Sequence, residues 1–280
     1  MAKASPQIPP KFSNLVPSHQ QNYETWNNAY DWSRYQGEEW SARWGGADMQ
    51  WYWDLLPRIQ QHLPAETILV IGPGYGRWAK YLLDHCERMV MVDISEKCLD
   101  ACRVRFGEDR LSYHVGPGDS VDFLEDESID FVFSFETLTY AEIDALSHYL
   151  RGLSKKLKPE GTGFVHHSNL AAYSSYFKNT LKLPKRVREV LKKRNLLDYD
   201  QWRARTVTAA LMKEAAEEVG LQVWTQELIP WGGRRLIDCF STIGRQAPKQ
   251  PFKQIENPLF HKRAYDIQRL SWLYGEGVPW

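Results

Sequence analysis

The pattern of apolar and polar positions changes texture along the 280-residue chain. Residues 1–22 are rich in Pro, Ser, Gln and Asn with no apolar period, which predicts a loosely held arm. From Tyr23 to Leu63 aromatic residues recur at mixed three- and four-residue steps, interrupted at Gly37 and Gly45-Gly46. Short helices forming a cap over 23–64 are the expectation. Beyond Thr67, short apolar runs alternate with longer amphipathic ones.

Thr67–Ile71 (TILVI) is too short for a helix and runs straight into glycines, as a buried strand does. Arg77–His85 reads as a helix, and Met89–Val92 as a second strand ending at Asp93. Ser95 can cap a helix from Glu96 to Phe106, which Gly107 stops. Leu111–Val115 and Ile129–Phe133 are the third and fourth strands. A helix from Glu142 to Leu157 ends at Pro159-Glu160-Gly161, and Gly163–His167 is the fifth strand. Strands alternating with helices of this length predict parallel βαβ units with right-handed crossovers.

An aromatic and basic insertion over 170–205 breaks the alternation and is expected to be helical. Ala209–Val219 then reads as a helix, followed by strands at Leu221–Leu228 and Leu236–Ile243. Only Pro230-Trp231-Gly232-Gly233 and a few neighbours join these two strands, and a parallel return needs a dozen residues or more. They are therefore expected to form an antiparallel hairpin. Residues 23–245 make one α/β domain in this reading, and 246–280 a tail that is Pro- and Gln-rich, then partly helical.

Composition narrows the function. Lys plus Arg equal Asp plus Glu at 35 each, so no global field draws the chain to nucleic acid or to an anionic membrane. Four cysteines (Cys86, Cys98, Cys102, Cys239) form no CxxC pair and lack histidines at zinc-ligand spacing. Cys98 and Cys102 read as buried thiols. No apolar run reaches signal-peptide or membrane-spanning length, so a cytoplasmic protein without membrane insertion is expected. Twelve tryptophans are many, and Trp26, Trp32, Trp40, Trp44, Trp51 and Trp53 all precede the first clear strand. They predict a packed cap, an aromatic wall beside a ligand, or both.

Gly72-Pro73-Gly74-Tyr75-Gly76 links the first strand to the first helix. Glycines there let the backbone turn sharply and approach a nucleotide, while helix amides point into the same corner. Asp93, ending the second strand, is placed to take both hydroxyls of a ribose. A nicotinamide-dinucleotide fingerprint would need glycine where Arg77 stands. Gly118-Asp119-Ser120 after the third strand is either an adenine contact or an ordinary polar turn.

The stretches WGGADMQWYW, ILVIGPGYGRWAKYL, VDISEKCLDACRVRF, IDFVFSFETLTYAE, LKPEGTGFVHHSNL and WGGRRLIDCFS carry a family resemblance. Together they make residues 23–245 resemble class I S-adenosylmethionine-dependent methyltransferases, within them a bacterial subgroup associated with sugar and polysaccharide modification. The resemblance implies a Rossmann-like, seven-stranded sheet whose last strand is antiparallel. It implies S-adenosylmethionine as cofactor, held by Gly72, Pro73, Gly74, Gly76, Arg77, Asp93, Ile94, Asp119, Ser120 and Phe135. The chain departs from the family at Val70, where an acidic residue is usual, and at Glu136 and Tyr140, where Asp and His are usual.

Methyl transfer is an in-line displacement, so alignment of the acceptor supplies much of the catalysis. An alcohol acceptor gains from a general base as well. The acceptor lies beyond the carboxyl ends of strands four and five, which brings Glu136, Tyr140, His166 and His167 near the reaction. His166 and His167 are adjacent on a strand and point to opposite faces. His167, at the strand end, is the expected base, with Glu136 as orienter and His166 in packing. Glu136 with one histidine and Asp144 is an alternative cation site. Lys178, Lys182, Lys185, Arg186, Arg188, Lys192, Lys193 and Arg194 on the insertion read as a solvated helical face or as a lid over an anionic acceptor. O-methylation of a sugar or glycoconjugate leads this reading. N-methylation of an amine or peptide side-chain amide, and a non-catalytic cofactor-binding scaffold, are its alternatives. Oligomeric state is left open.

Overall fold

A computed structural model describes residues 18–32, 35–231 and 233–274. Most of the expected arm, and Gly232 of the hairpin link, lie outside the described residues.

A single mixed sheet organises the chain. Its strands are β1 (Ala65–Ile71), β2 (Cys86–Asp93), β3 (Leu111–Val115), β4 (Ile129–Ser134), β5 (Leu157–Ser168), β6 (Gln222–Ile229), β7 (Asp238–Gly244) and β8 (Lys253–Glu256). They lie in the order β3-β2-β1-β4-β5-β7-β6-β8. β7 is antiparallel to both β5 and β6, and every other pairing is parallel. The hairpin of β6 and β7 is as expected. The strand count is not: the sheet has eight strands where seven were expected.

β8 arises from the tail. All four of its side chains are exposed, so it carries no apolar alternation to read. It forms by backbone pairing with the edge of β6, helped by Gln254 Nε2 donating to Gln226 Oε1 at 2.9 Å and Asn257 Nδ2 to Glu227 Oε1 at 2.7 Å. Two other boundaries also move. Only Ala79–Leu82 is α-helical between β1 and β2, because Gly74 and Gly76 at positive φ keep the preceding residues in turns. β5 starts at Leu157, so Pro159 and Glu160 lie within it.

Alternation along the strands builds a core on each face. Ile68, Val70, Phe131, Phe133, Phe164 and Phe240 face one way, against Leu99 and Cys102 of the helix Glu96–Phe106 and against Trp44, Trp51 and Leu55 of the cap. Leu69, Ile71, Val132, Val165 and Ile243 face the other way, under the helices Ile143–Lys156 and Ala209–Glu218. Burial on both faces explains why the parallel strands read as continuous apolar runs. Ser95 caps its helix as expected, its hydroxyl accepting from Cys98 N at 3.3 Å. Cys98 and Cys102 are buried free thiols.

The N-terminal tryptophans divide between the two roles open to them. Trp44 and Trp51 are core, and Trp44 packs on Phe260 of the C-terminal helix Phe260–Tyr274 at 4.9 Å between rings. Trp53 is exposed. Trp26, Trp32 and Trp40 turn towards the carboxyl edge of the sheet. Arg58 ties the cap to β6 through two hydrogen bonds to Glu227, at 2.7 and 2.6 Å.

Gly76 sits at φ +81° with no room for a side chain: an added Cβ would lie 2.4 Å from the Phe106 ring. Gly76→Ala combines a clash with an unfavourable backbone and is expected to destabilise by about 2 kcal/mol or more. An unchanged urea midpoint would refute that expectation.

Candidate active site

The loop after β1 and the loop after β4 are clasped together. Thr137 Oγ1 donates to the Gly72 carbonyl at 3.1 Å, and a Cβ on Gly72 (φ +70°) would fall 2.2 Å from the Thr137 side chain. Asp93 fastens the same corner from β2. Its Oδ2 accepts from Gly74 N at 3.2 Å and its Oδ1 from Ser95 N at 3.0 Å. Burial pushes the Asp93 carboxyl up to about 6, against the pull of the amides of Ser95, Gly74 and Ile94.

These loops floor a cavity of about 400 Å³, at the small end of the range for ligand sites. Gly72, Pro73, Gly74, Arg77, Asp93, Ile94, Phe135, Glu136 and Tyr140 line it. Trp26, Trp32 and Trp40 of the cap form its far wall. Gly76, Asp119, Ser120, His166 and His167 are not in the lining. Gly76 packs on the helix behind the loop. Asp119 Oδ2 meets His148 Nδ1 at 3.2 Å, and Ser120 Oγ accepts from Asp122 N at 3.0 Å, so that turn is held locally, with Gly118 alone reaching the cavity.

Glu136 is the most constrained residue of the lining. It is non-glycine at φ +59°. Its carboxylate accepts from Arg77, whose guanidinium also donates to Ser41 Oγ at 3.1 Å and lies 4.5 Å from the Trp78 ring centre. Its backbone N–H donates to His166 Nδ1 at 3.2 Å. With Nδ1 accepting, the His166 proton is on Nε2 and points to Asp238 Oδ2 at 3.0 Å. Arg203 closes the chain with Nε and Nη2 on Asp238, at 2.9 and 2.8 Å.

The members of this relay are buried: His166 and Asp238 are wholly inaccessible. Burial lowers the His166 pKa, with Asp238 opposing. Burial also opposes ionisation of Asp238, yet Arg203 and His166 outweigh it and hold its carboxyl below the usual range. Neither Asp238 nor Arg203 was expected at the site. The signal was present: an aspartate inside the apolar run LIDCFSTI has to find a cation when that strand is buried.

His167 points away from this relay. Its Nδ1 donates to the Ser168 carbonyl at 2.9 Å and its Nε2 meets Ser241 Oγ at 2.8 Å, on the opposite face of the sheet. Burial brings its pKa down to about 4. An imidazole so enclosed cannot reach an acceptor, and His166, equally inaccessible, touches the cavity lining only through the Glu136 amide. β5 parity explains why His166 and not His167 makes that contact, since Phe164 and His166 share one face while Val165 and His167 share the other. Tyr140 lines the cavity, and burial pushes its phenol above the ordinary value.

Among the described residues no group of three or more His, Cys, Asp or Glu is placed to hold a metal. The basic helix Lys185–Lys193 has no buried residue and none of its side chains lines the cavity. No helix among the described residues is long and apolar enough to cross a membrane.

A family model described as "Methyltransferase domain" matches residues 69–165, the span from β1 through the loops of this cavity into β5. Over residues 69–165 the chain is thus similar to a methyltransferase domain. S-adenosylmethionine is the cofactor that the sequence resemblance implies. The residues present fit it: a glycine loop at positive φ, a strand-end carboxylate and a cavity of one small ligand's size.

Among curated proteins the chain is similar to a "Methyltransferase" of Claviceps purpurea, 28% identical over 96 residues, which are 34% of this chain and 29% of that protein. It is also similar to "Methyltransferase gedG" of Aspergillus terreus, 26% identical over 97 residues, 35% of this chain and 30% of that protein. The chain thus spans under a third of the length of these relatives.

Solved structures extend the likeness in fold. The PH0226 protein of Pyrococcus horikoshii superposes with a TM-score of 0.53 at 16% identity, over 81% of this chain and 99% of that one. A chain from the complex of the Haloferax volcanii Trm112 methyltransferase activator with a methyltransferase gives 0.52 at 20% identity, over 77% and 96%.

Mutation separates the two histidines. His166→Ala unties the Glu136 amide and is expected to lower turnover by about 10-fold or more, below the roughly 10²-fold of a direct acid or base because His166 acts only through Glu136. His167→Ala is expected to cost stability and leave turnover of the folded fraction intact. Because folding depresses the His167 pKa from 6.5 to about 4, its contribution falls as pH drops through that window. His167→Gln should therefore flatten the decline of unfolding free energy between pH 6.5 and 4. Equal turnover for both alanine variants would undo the assignment.

Proposed function

We propose that the whole chain is an S-adenosylmethionine-dependent methyltransferase acting on a small, uncharged or cationic acceptor. One observation carries this reading: a single cavity joins the glycine loop and Asp93 to an aromatic wall and to Glu136. The cofactor supplies an activated methyl group on a sulfonium. The loop amides and Asp93 hold one end of the cavity, and Arg77 with Glu136 stands between that end and the wall of Trp26, Trp40 and Tyr140.

Charge selects among acceptors. Asp93, Glu136, Glu142 and Asp144 line the cavity with Arg77 as their one cationic counterpart among the lining residues. A nucleotide- or phosphate-linked acceptor would meet this field unfavourably, and the basic insertion that would offset it lies elsewhere. A sugar hydroxyl, suggested by the sequence resemblance, suits the charge, with indole faces for the ring and carboxylates for its hydroxyls. That chemistry requires Glu136 to leave Arg77 and take the hydroxyl proton.

Calorimetry on the full chain is expected to show S-adenosylmethionine and its demethylated product binding more tightly than NAD. Asp93→Ala should weaken that binding by ~1–3 kcal/mol, the scale of a charge-assisted hydrogen bond. Ribose hydroxyls need the ionised carboxylate, so affinity should fall as pH drops below about 6, and Asp93→Asn should remove that dependence. Tighter NAD binding would overturn the reading. So would the absence of methyl turnover across a pooled library of alcohols and amines, which would leave a cofactor-binding scaffold.

Glu136→Gln divides the acceptors. A hydroxyl acceptor should lose ~10²-fold in kcat through loss of its base, whereas an acceptor that needs no base should lose little.

A further inference from the structure

The methyl acceptor is the open question, and three features of the cavity bear on it together. The first is the shape of its wall. Trp26 meets Tyr140 at 5.3 Å between ring centres and 47° between planes, and Trp40 at 6.2 Å and 65°. Rings inclined in this way form a corner and do not stack into a slab. Trp32, by contrast, stacks on Tyr75 at 5.1 Å and 7° and covers Gly74, on the cofactor side.

The second feature is charge. Four carboxylates line the cavity against one guanidinium, and that guanidinium is bound to Glu136 and Ser41. Glu142 is itself anchored, accepting from the amides of Arg205 and Thr206 at 2.9 and 2.8 Å. Asp144 has no such anchor among the described residues and stands exposed at the rim.

The third is that, among the described lining residues, Asp144 at the rim is the one unengaged carboxylate, and the groups nearer the sheet are inaccessible or engaged. His166 and His167 are wholly inaccessible, with both nitrogens of each engaged. Tyr140 is a buried phenol, and the Glu136 carboxylate is taken by Arg77.

We propose that the acceptor subsite is built for a nitrogen that becomes cationic as it is methylated, so that the acceptor is a small amine. The inference rests on the methyltransferase reading. In the step, the lone pair of the neutral amine forms the N–CH₃ bond as the S–CH₃ bond breaks. The bonding pair leaves on sulfur, and the positive charge passes from sulfur to nitrogen. The N–H proton of the new ammonium goes to water on release. No base acts in the transfer itself. Charge arriving on nitrogen is what aromatic faces and carboxylates stabilise, and stabilisation that grows towards the transition state accelerates the reaction. An alcohol attacking without a base would become an oxonium, a far stronger acid than an ammonium.

The test uses a pair of probes alike in shape. Choline carries a quaternary nitrogen, and 3,3-dimethylbutan-1-ol has carbon in its place with no charge. Both are titrated by calorimetry into the full chain saturated with S-adenosylhomocysteine. Choline should bind about tenfold or more tightly than the alcohol, in keeping with a desolvated cation–π contact. Trp26→Leu and Trp40→Leu should each erase the preference. Equal or tighter binding of the alcohol, or no choline binding, overturns the proposal. Because the probe pair is compared on the unaltered protein, the comparison decides the matter even where a variant fails to fold. Should S-adenosylhomocysteine itself not bind, the methyltransferase reading falls. The same comparison on the free chain then still decides whether the corner selects cations.

Discussion

Asp238 has no contact with water, and a carboxylate in that position is tolerable only when its charge is met in full. Arg203 meets it with two nitrogens and His166 with a third. Those three residues come from the start of β7, the far end of the insertion and the last residues of β5. Removing any of them would leave a buried charge or donor without its partner, which costs far more than the pair contributes. The ion pair therefore ties Arg203, at the end of the insertion, onto the β5–β7 pairing from outside the sheet's backbone hydrogen bonds. Through His166 it also reaches the amide of Glu136, which keeps an unfavoured backbone conformation beside the cavity. Strain of this kind persists only where the surroundings over-determine it.

Indole and phenol rings do the corresponding work on the other side. The cap has few long helices and would be marginal alone, since turns this short gain little from their own hydrogen bonds. Trp44 secures it against Phe260 of the C-terminal helix and Trp51 against Tyr81, both within the core on that face of the sheet. With that anchorage, Trp26 and Trp40 can be left partly uncovered at the cavity. One run of sequence thus supplies both packing and wall, and the spacing of tryptophans alone could not say which residue does which.

What could be read from the sequence follows from what each element buries. Strands β1 and β4 and the inner part of β5 are apolar on two faces and announced themselves, while β2, β3, β6 and β7 carry enough apolar positions to be read as strands. β8, with every side chain in water, did not. The Ser95 cap and the Gly107 stop were local chemistry and came out as read. Gly72, Gly74 and Asp93 could be placed because a strand end followed by glycines has one geometry. The choice between His166 and His167 turned on which face β5 presents. That parity is set by its pairing with β4 and β7, which no local pattern contains. Arg203 and Asp238 lie 35 residues apart and meet only in the folded sheet.

The short strand β8 has a consequence for how the protein behaves in company. A sheet ends where its last strand offers unpaired amides and carbonyls, and such an edge is a template on which another chain can add. Here the terminal strand is four residues long, and Lys253, Gln254 and Glu256 hold its margin in water. An incoming strand would find few bonds to make and would have to displace hydrated charges to make them. The tail, read as Pro- and Gln-rich and then partly helical, thus blunts this edge of the sheet.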